Sequence, residues 1–367
     1  MKRIRNIIGV TVFALLILTM SVLCVTNPAE AFSVSERRPL ATFPDISAES
    51  ILSSSFSEEF ETYSSERFPF RDGFRGVKAW FSKNFLRKLD NNGIFVTDGH
   101  ISKIDGKENE DMLDYSAERF SFIIDKYTKD KNVNAYFSIV PDKNYFLAEK
   151  NGYPSLDYQA LFEKVKEKTP FLEFIDITEF LSIDDYYTTD THWRQENIID
   201  IAEFLGEKMG VETETEFEEN VLDNPFYGVY IGQLAIPFKP DTIKYLTNDT
   251  INSFKVTYYD FGSPTQKDLY DMKKAYDKDP YEMFLSGSSP LVTIENKNAD
   301  NEKHLILFRD SFGGSIAPIL ATGYAKTTVV DIRYVQSAFL GNFIEFDNSD
   351  ILFLYSSTLL NDSLAMK

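Results

Sequence analysis

The chain holds three histidines, His100, His192 and His304. One of them follows an acid by two residues, in Tyr186-Tyr187-Thr188-Thr189-Asp190-Thr191-His192-Trp193-Arg194. A carboxylate at that spacing can hold the imidazole Nδ1–H, set the tautomer and leave Nε2 as a general base. Far downstream, Leu305-Ile306-Leu307-Phe308-Arg309-Asp310-Ser311-Phe312-Gly313-Gly314-Ser315 reads as strand, tight turn, small residues and helix. A serine on such a turn sits at the carboxyl edge of an α/β sheet, where active sites lie. The glycines allow close backbone approach, and a helix N-terminus offers N–H groups to an oxyanion. Each motif has a plainer reading. Asp190 could cap a helix beside a structural histidine, and serine-glycine turns are common. Asp-x-His is also a metal-ligand pattern, but no second histidine pair or cysteine cluster supports it, so neither metal nor cofactor is expected. Together the two motifs supply a serine, a base and an orienting carboxylate, one set for acyl-ester chemistry.

The elements that must position these residues alternate. Strand patterns occur at Val133 to Val140, Phe174 to Asp176, His304 to Phe308, Thr328 to Ile332 and Ile351 to Tyr355. Helical patterns occur at Asp111 to Tyr127, Tyr158 to Lys168, Ile198 to Met209 and Ile316 to Ala321. This alternation predicts an α/β fold with a mostly parallel sheet covered on both faces. The continuous apolar run Leu305 to Phe308 fits a central strand. Residues 215–300 break the rhythm and are read as an inserted hairpin or long loop region near the site. Ser47 to Leu89 reads as helix-rich, interrupted at Phe68-Pro69-Phe70-Arg71-Asp72-Gly73. Asn91-Asn92-Gly93 is a turn signal before a short strand at Ile94-Phe95-Val96.

The 367 residues carry a net charge of −19, which makes nucleic acid an improbable partner. Lys2, Arg3 and Arg5 precede an apolar run from Ile7 to about Val25, long enough to span a bilayer, with the basic end held in the cytoplasm. The expected address is the cell membrane, single-pass with an extracellular domain. If Ala29-Glu30-Ala31 is a cleavage site, the chain is secreted instead. The only cysteine is Cys24, inside the apolar run, so the exported part can form no disulfide. The expected organisation is a cytoplasmic stub and signal-anchor over 1–26, a linker and helix-rich entry over 27–90, and the main domain over 91–367 with the 215–300 insertion.

In this order, Asp190-Thr191-His192-Trp193 and Asp310-Ser311-Phe312 resemble the DHHW family and alginate O-acetylation proteins of the AlgJ/AlgX type. Further matches are Phe68-Pro69-Phe70-Arg71-Asp72, Asn92-Gly93-Ile94-Phe95-Val96, Pro141-Asp142-Lys143 and Asp331-Ile332-Arg333-Tyr334. The resemblance spans roughly residues 33 to 360. It implies an SGNH-hydrolase-like α/β/α sandwich, with Ser311 as nucleophile, His192 as base and Asp190 as its partner. It also implies O-acetyl transfer to, or removal from, a cell-surface polysaccharide. The expected partners are that polysaccharide, the membrane and a membrane-bound O-acyltransferase. Two positions depart from the pattern. Thr191 stands where the DHHW name has a second histidine, and Arg309 precedes Asp310-Ser311 where the usual SGNH block has glycine. The safest oxyanion donor is the Ser311 N–H. Arg333 is either a contact for an anion or acyl carbonyl or a salt-bridged structural residue. Trp193 either lines a sugar subsite or packs. Lys143 follows a strand end and is a candidate neighbour of the site. A non-catalytic glycan-binding surface protein with a hydrolase-like fold is the competing expectation.

Overall fold

The structure is a computed structural model that describes residues 2–26, 31–33, 35–260 and 263–367. Most of the Ala29-Glu30-Ala31 sequence lies outside the described residues. The chain divides into two units, Met1–Asn92 with Ile231–Phe238, and Gly93–Tyr230 with Lys239–Lys367.

In the first unit, α1 (Lys2–Thr26) contains, over Arg3–Cys24, the one described helix long and apolar enough to cross a membrane. Two further helices follow, α2 (Ser55–Glu66) and α3 (Arg71–Asn84), after a short helical turn at Ala48–Leu52. The phenyl ring of Phe43 packs edge-on against Phe56, Phe60 and Tyr63 of α2. On α3, Arg71 and Arg75 both reach Glu36, at 2.7 and 3.1 Å. The Arg75 guanidinium also donates to the Gly232 carbonyl at 2.8 Å, and Asn91 donates to the Leu234 carbonyl at 2.9 Å. Residues 231–238, part of the segment read as an insertion, thus belong to this unit.

The second unit is built on an eight-stranded sheet. Its strands are β1 (Val133–Val140), β2 (Glu173–Phe174), β3 (Lys255–Tyr258), β4 (Thr265–Gln266), β5 (Leu291–Glu295), β6 (His304–Arg309), β7 (Lys326–Val330) and β8 (Ser349–Ser356). Their order is β4-β3-β5-β7-β6-β8-β1-β2. The run β7-β6-β8-β1-β2 is parallel, while β5, β3 and β4 add antiparallel. Every residue of β6 and β8 is buried, which is why these strands read as unbroken apolar runs. The strand period of two sends alternate residues to opposite faces. Leu305, Leu307, Leu352 and Leu354 join one core cluster. Ile306, Phe308, Ile351 and Phe353 join the other.

Helices cover both faces. α4 (Glu110–Tyr127) buries Leu113, Ala117, Phe120 and Ile123, a stripe at helical spacing, and α5 (Tyr158–Lys168) buries Leu161, Phe162 and Val165 beside it. On the opposite face lie α6 (Ile199–Lys208), through Ile201, Ala202 and Leu205, and α7 (Phe312–Leu320), which is buried all round.

The structure corrects three sequence expectations. Residues 215–300 do contain a hairpin, Glu218–Val221 against Lys244–Thr247, but they also supply β3, β4 and β5 of the main sheet. α7 begins at Phe312 rather than Ile316, because Gly313 and Gly314 lie inside the helix instead of in a turn. β7 ends at Val330, leaving Asp331 and Ile332 beyond the strand.

Parallel registry is what assembles the site. Phe308 pairs with Val330, Arg309 with Leu354 and Val140 with Ser356. The segments leaving these strands, with Ser311, Arg333, Ser357 and Lys143, therefore all emerge at one edge of the sheet.

Candidate active site

Ser311 is the N-cap of α7, on the turn leaving β6. The turn is braced by Asp310, whose carboxylate accepts from Phe312 N–H at 3.0 Å and from Ser356 N–H at 2.9 Å, tying β6 to the end of β8. The first N–H groups of α7 are thereby used internally. Phe312 donates to the Asp310 carboxylate and Gly313 to the Asp310 carbonyl. The helix start is not an open row of donors, as the sequence had suggested. The close approach expected of the glycines is present. A Cβ on Gly313 would lie 2.4 Å from Cβ of Arg309.

Asp190 and His192 lie on a tight loop closed by a bridge between Tyr186 and Trp193, with Tyr187 N–H donating to the His192 carbonyl at 3.0 Å. Folding brings this loop to Ser311 across more than a hundred residues. His192 Nε2 is 2.8 Å from Ser311 Oγ, and His192 Nδ1 is 2.6 Å from Asp190 Oδ1. Asp190 is 1% exposed and His192 reaches the surface only partly. Asp190 Oδ2 accepts the Val229 N–H at 2.8 Å, so both carboxylate oxygens are engaged and the imidazole-facing one is held in place. The proton on Nδ1 is the tautomer this arrangement requires.

Two neighbouring residues bolt the loop to α7. Trp193 Nε1 donates to Ser315 Oγ at 2.8 Å and to the Phe312 carbonyl at 3.1 Å, and Gln195 Nε2 donates to the Ser315 carbonyl at 2.7 Å. Trp193 is fully buried. Of its two expected places, sugar subsite or packing, Trp193 takes the second, as a brace between the two motifs.

Lys143 does adjoin the Asp190 loop, but through the loop's backbone. It is 1% exposed, and its ammonium donates to the carbonyls of Ile101, Tyr187, Thr188 and Asp190, at 2.6, 2.8, 3.0 and 3.2 Å. Burial pulls this amine down to about 7, against the opposing pull of Asp190 and Asp241. It lies beneath the Asp190 loop and is not among the residues that line the pocket over Ser311. Asp241 holds the same loop from another side, accepting from Thr188 N–H, Thr189 N–H and Arg194 at 3.0, 2.7 and 2.6 Å.

A pocket of about 190 Å³ opens over Ser311 and His192. Tyr281, Phe284, Gly287, Ser288, Arg333 and Tyr334 form much of its wall. The Tyr281 ring stacks on the imidazole at 3.9 Å with an interplanar angle of 11°, and its hydroxyl is 2.8 Å from Ser315 Oγ. Arg333 does reach the pocket, but its guanidinium is also held by Asp331, at 2.9 and 2.7 Å. Of the two alternatives weighed for Arg333, the Asp331 pair is the salt-bridged one, at the border of the pocket. Burial works against its charge, and the Asp331 contact overcomes it and raises its pKa.

The sequence reading missed Val229, Asp241 and Tyr281. All three come from the 215–300 region, which has no periodic signal to align it with the site. Gly228 was the available clue: a Cβ there would sit 2.2 Å from the Thr189 carbonyl oxygen. His100 and His304 are buried and do not line the pocket over Ser311, and His304 Nε2 lies 2.8 Å from Thr328 Oγ1 within the sheet. Among the described residues no cluster of three or more metal-ligating side chains occurs.

Solved structures share this fold. The chain is similar to a DHHW family protein from Eubacterium siraeum at 21% identity, over 74% of this chain and 93% of that one, with a TM-score of 0.57. It is similar to Bacillus cereus PatB1, solved with a sulfonyl adduct, at 22% identity, over 73% of this chain and 95% of that one, with a TM-score of 0.59. A likeness to the O-acetyltransferase domain of Pseudomonas putida AlgJ, at 12% identity over 73% and 92% of the two chains and a TM-score of 0.44, is too distant to carry an argument. No family model matches the chain, and no curated protein is similar to it in sequence. At these identities the shared property is the SGNH-like fold that the motif order had suggested.

Proposed function

We propose that this chain is a membrane-anchored, extracytoplasmic acyl-ester enzyme that moves acetyl groups on a cell-surface polysaccharide, as O-acetyltransferase or acetylesterase, through an acyl-Ser311 intermediate. The observation that carries the reading is the continuous relay Ser311 Oγ–His192 Nε2, 2.8 Å, and His192 Nδ1–Asp190 Oδ1, 2.6 Å, at the floor of a pocket.

The chemistry follows from that geometry. Ser311 Oγ attacks the acyl carbonyl while its proton passes to His192 Nε2. Asp190 stabilises the resulting imidazolium without taking the proton. The Ser311 N–H receives the oxyanion, and Arg333 borders the same pocket. His192 then protonates the departing alcohol, leaving the acyl ester on Ser311. In the second half a sugar hydroxyl or water gives its proton to His192 and attacks, and Ser311 recovers its proton. A membrane-bound O-acyltransferase would supply acyl groups beside the anchor α1.

The test begins with a sulfonyl fluoride, the reagent class suggested by the adduct on PatB1. Ser311 Oγ should displace fluoride, and peptide mapping should place one sulfonyl group on Ser311. Full-length protein is then given an artificial acetyl ester with and without polysaccharide. Acetyl recovered on the sugar identifies transfer, while free acetate at an unchanged rate identifies an esterase. Folded protein that is neither labelled nor active on any acetyl ester would instead support the glycan-binding reading.

A further inference from the structure

The motif Phe68-Pro69-Phe70-Arg71-Asp72 has no part in the chemistry above, yet it opens a helix whose large apolar residues are exposed. α3 is amphipathic in the reverse sense. Phe70, Phe74, Val77, Phe81 and Phe85 recur at helical spacing along one stripe, and each is between 44% and 72% exposed. The side turned into its own unit instead carries Ala79 and Ser82, the helix's buried residues, with Arg71 and Arg75 paired to Glu36. Gly76 on that side lies against residues 231–238, where a Cβ would meet the Ala235 carbonyl oxygen at 3.3 Å. Water is an unfavourable neighbour for five contiguous large apolar side chains, and a patch of this kind marks an interaction surface.

Charge indicates what covers it. Residues 67–89 contain seven basic residues and one acidic, Asp72, in a chain whose net charge is −19. Lys78, Lys83, Arg87 and Lys88 are exposed, as are Trp80, Leu86 and Leu89. A basic helix with an aromatic apolar face and tryptophan at its flank is built for the interface of an anionic bilayer. The tether points the same way. α1 is long and apolar enough to span a membrane and belongs to the same unit as α3.

We propose that α3 and the residues after it, through Leu89, lie on the outer surface of the anchoring membrane, with the Phe70–Phe85 stripe buried at the acyl boundary and Lys83, Arg87 and Lys88 on anionic headgroups. This rests on α1 spanning the membrane and is independent of the catalytic reading. A single span fixes the chain to the bilayer but leaves it free to rotate and tilt. A second, interfacial contact restricts that freedom for the unit that contains both helices.

The two tryptophans make the proposal testable in the intact protein. Trp80 is 56% exposed, Trp193 is fully buried, and α1 contains none. Full-length protein is reconstituted into phosphatidylglycerol-containing vesicles whose acyl chains are brominated, with flotation showing that it has inserted. Trp80 emission should be blue-shifted and quenched relative to unbrominated lipid, and Trp80→Phe should abolish that loss. Replacing Lys83, Arg87 and Lys88 by Gln, or phosphatidylglycerol by a neutral lipid, should reduce the quenching. Inserted protein whose Trp80 is unquenched by brominated lipid overturns the proposal. In that case, emission open to aqueous acrylamide leaves the face for a membrane protein absent from the vesicles. Emission shielded from acrylamide as well assigns it to a second copy of this chain.

Discussion

Ser311 is only as nucleophilic as the acceptor of its proton allows, so the relay should fail as a unit. Ser311→Ala and His192→Ala should each lower kcat/KM for an acetyl ester by roughly 10³-fold or more, and the double variant should be little worse than either. Asp190→Asn should lose less, because the carboxylate orients and stabilises but does not react. Steady-state rates on purified, folded variants check the series, and a Ser311→Ala enzyme at wild-type rate refutes the assignment. The three residues were legible because their types and spacing are chemically restrictive. Tyr281, which stacks on the imidazole, was not, since an isolated tyrosine in a polar, aperiodic stretch has no local signature. Lys143 was noticed for its position after a strand, but only the fold shows its ammonium turned under the loop, onto four carbonyls.

At the scale of elements, the position of the serine depends on how closely α7 can start behind β6. Gly313 permits this, since any side chain there would overlap Cβ and Cγ of Arg309 at 2.4 and 3.0 Å. Arg309 cannot simply yield, because it is 2% exposed and its guanidinium donates to the Gly287 carbonyl at 2.9 Å. Gly313→Ala should therefore cost about 1–3 kcal/mol of stability through overpacking and disturb the Ser311–His192 contact. Chemical denaturation with parallel ester kinetics reads both effects. Unchanged stability and rate would show that the turn has slack. The β6 strand itself was legible from its apolar run. The inclusion of Gly313 and Gly314 in the helix was not, because local propensity assigns glycine to turns, whereas here both glycines lie in a helix buried along its whole length.

For the molecule as a whole, buried ionisable groups make stability depend on pH in opposing ways. Burial lowers His304 to about 4, with Lys326 adding to the effect. The folded state keeps this ring neutral where the unfolded chain protonates it. Stability is therefore full above about 6.5, and is lost as pH falls from there toward 4. Burial and the nearby Asp142 carboxylate raise Asp105 to about 7. Its contribution has the other sign, declining as pH rises from the ordinary carboxylate range through 7. The two partly cancel in the wild type, so the informative quantity is a difference. The Tm of His304→Gln relative to wild type should rise progressively as pH is lowered from about 6.5 to 4. A difference that stays constant across that window would show that His304 is not buried neutral.

Some of this protein could be known from its sequence alone. The apolar segment after Lys2, Arg3 and Arg5 could be read as a helix long enough to cross a membrane, because bilayer thickness sets a length and not a contact. Alternating strand and helix periods dictate an α/β sheet, because each period buries one face. Asp190, His192 and Ser311 stand out as candidates because few residue types can hold, take and give a proton, and their meeting at hydrogen-bond distance came only with the fold. The tertiary structure decided what depends on contacts remote in sequence. Parallel registry of β1, β6, β7 and β8 put their exits at one edge. Three strands from the irregular stretch 215–300 widened the sheet, and Val229 came to rest on Asp190. Trp193, which could have faced sugar or core, went to the core. Its indole N–H, once buried, needed an acceptor, and Ser315 on the serine helix supplied it.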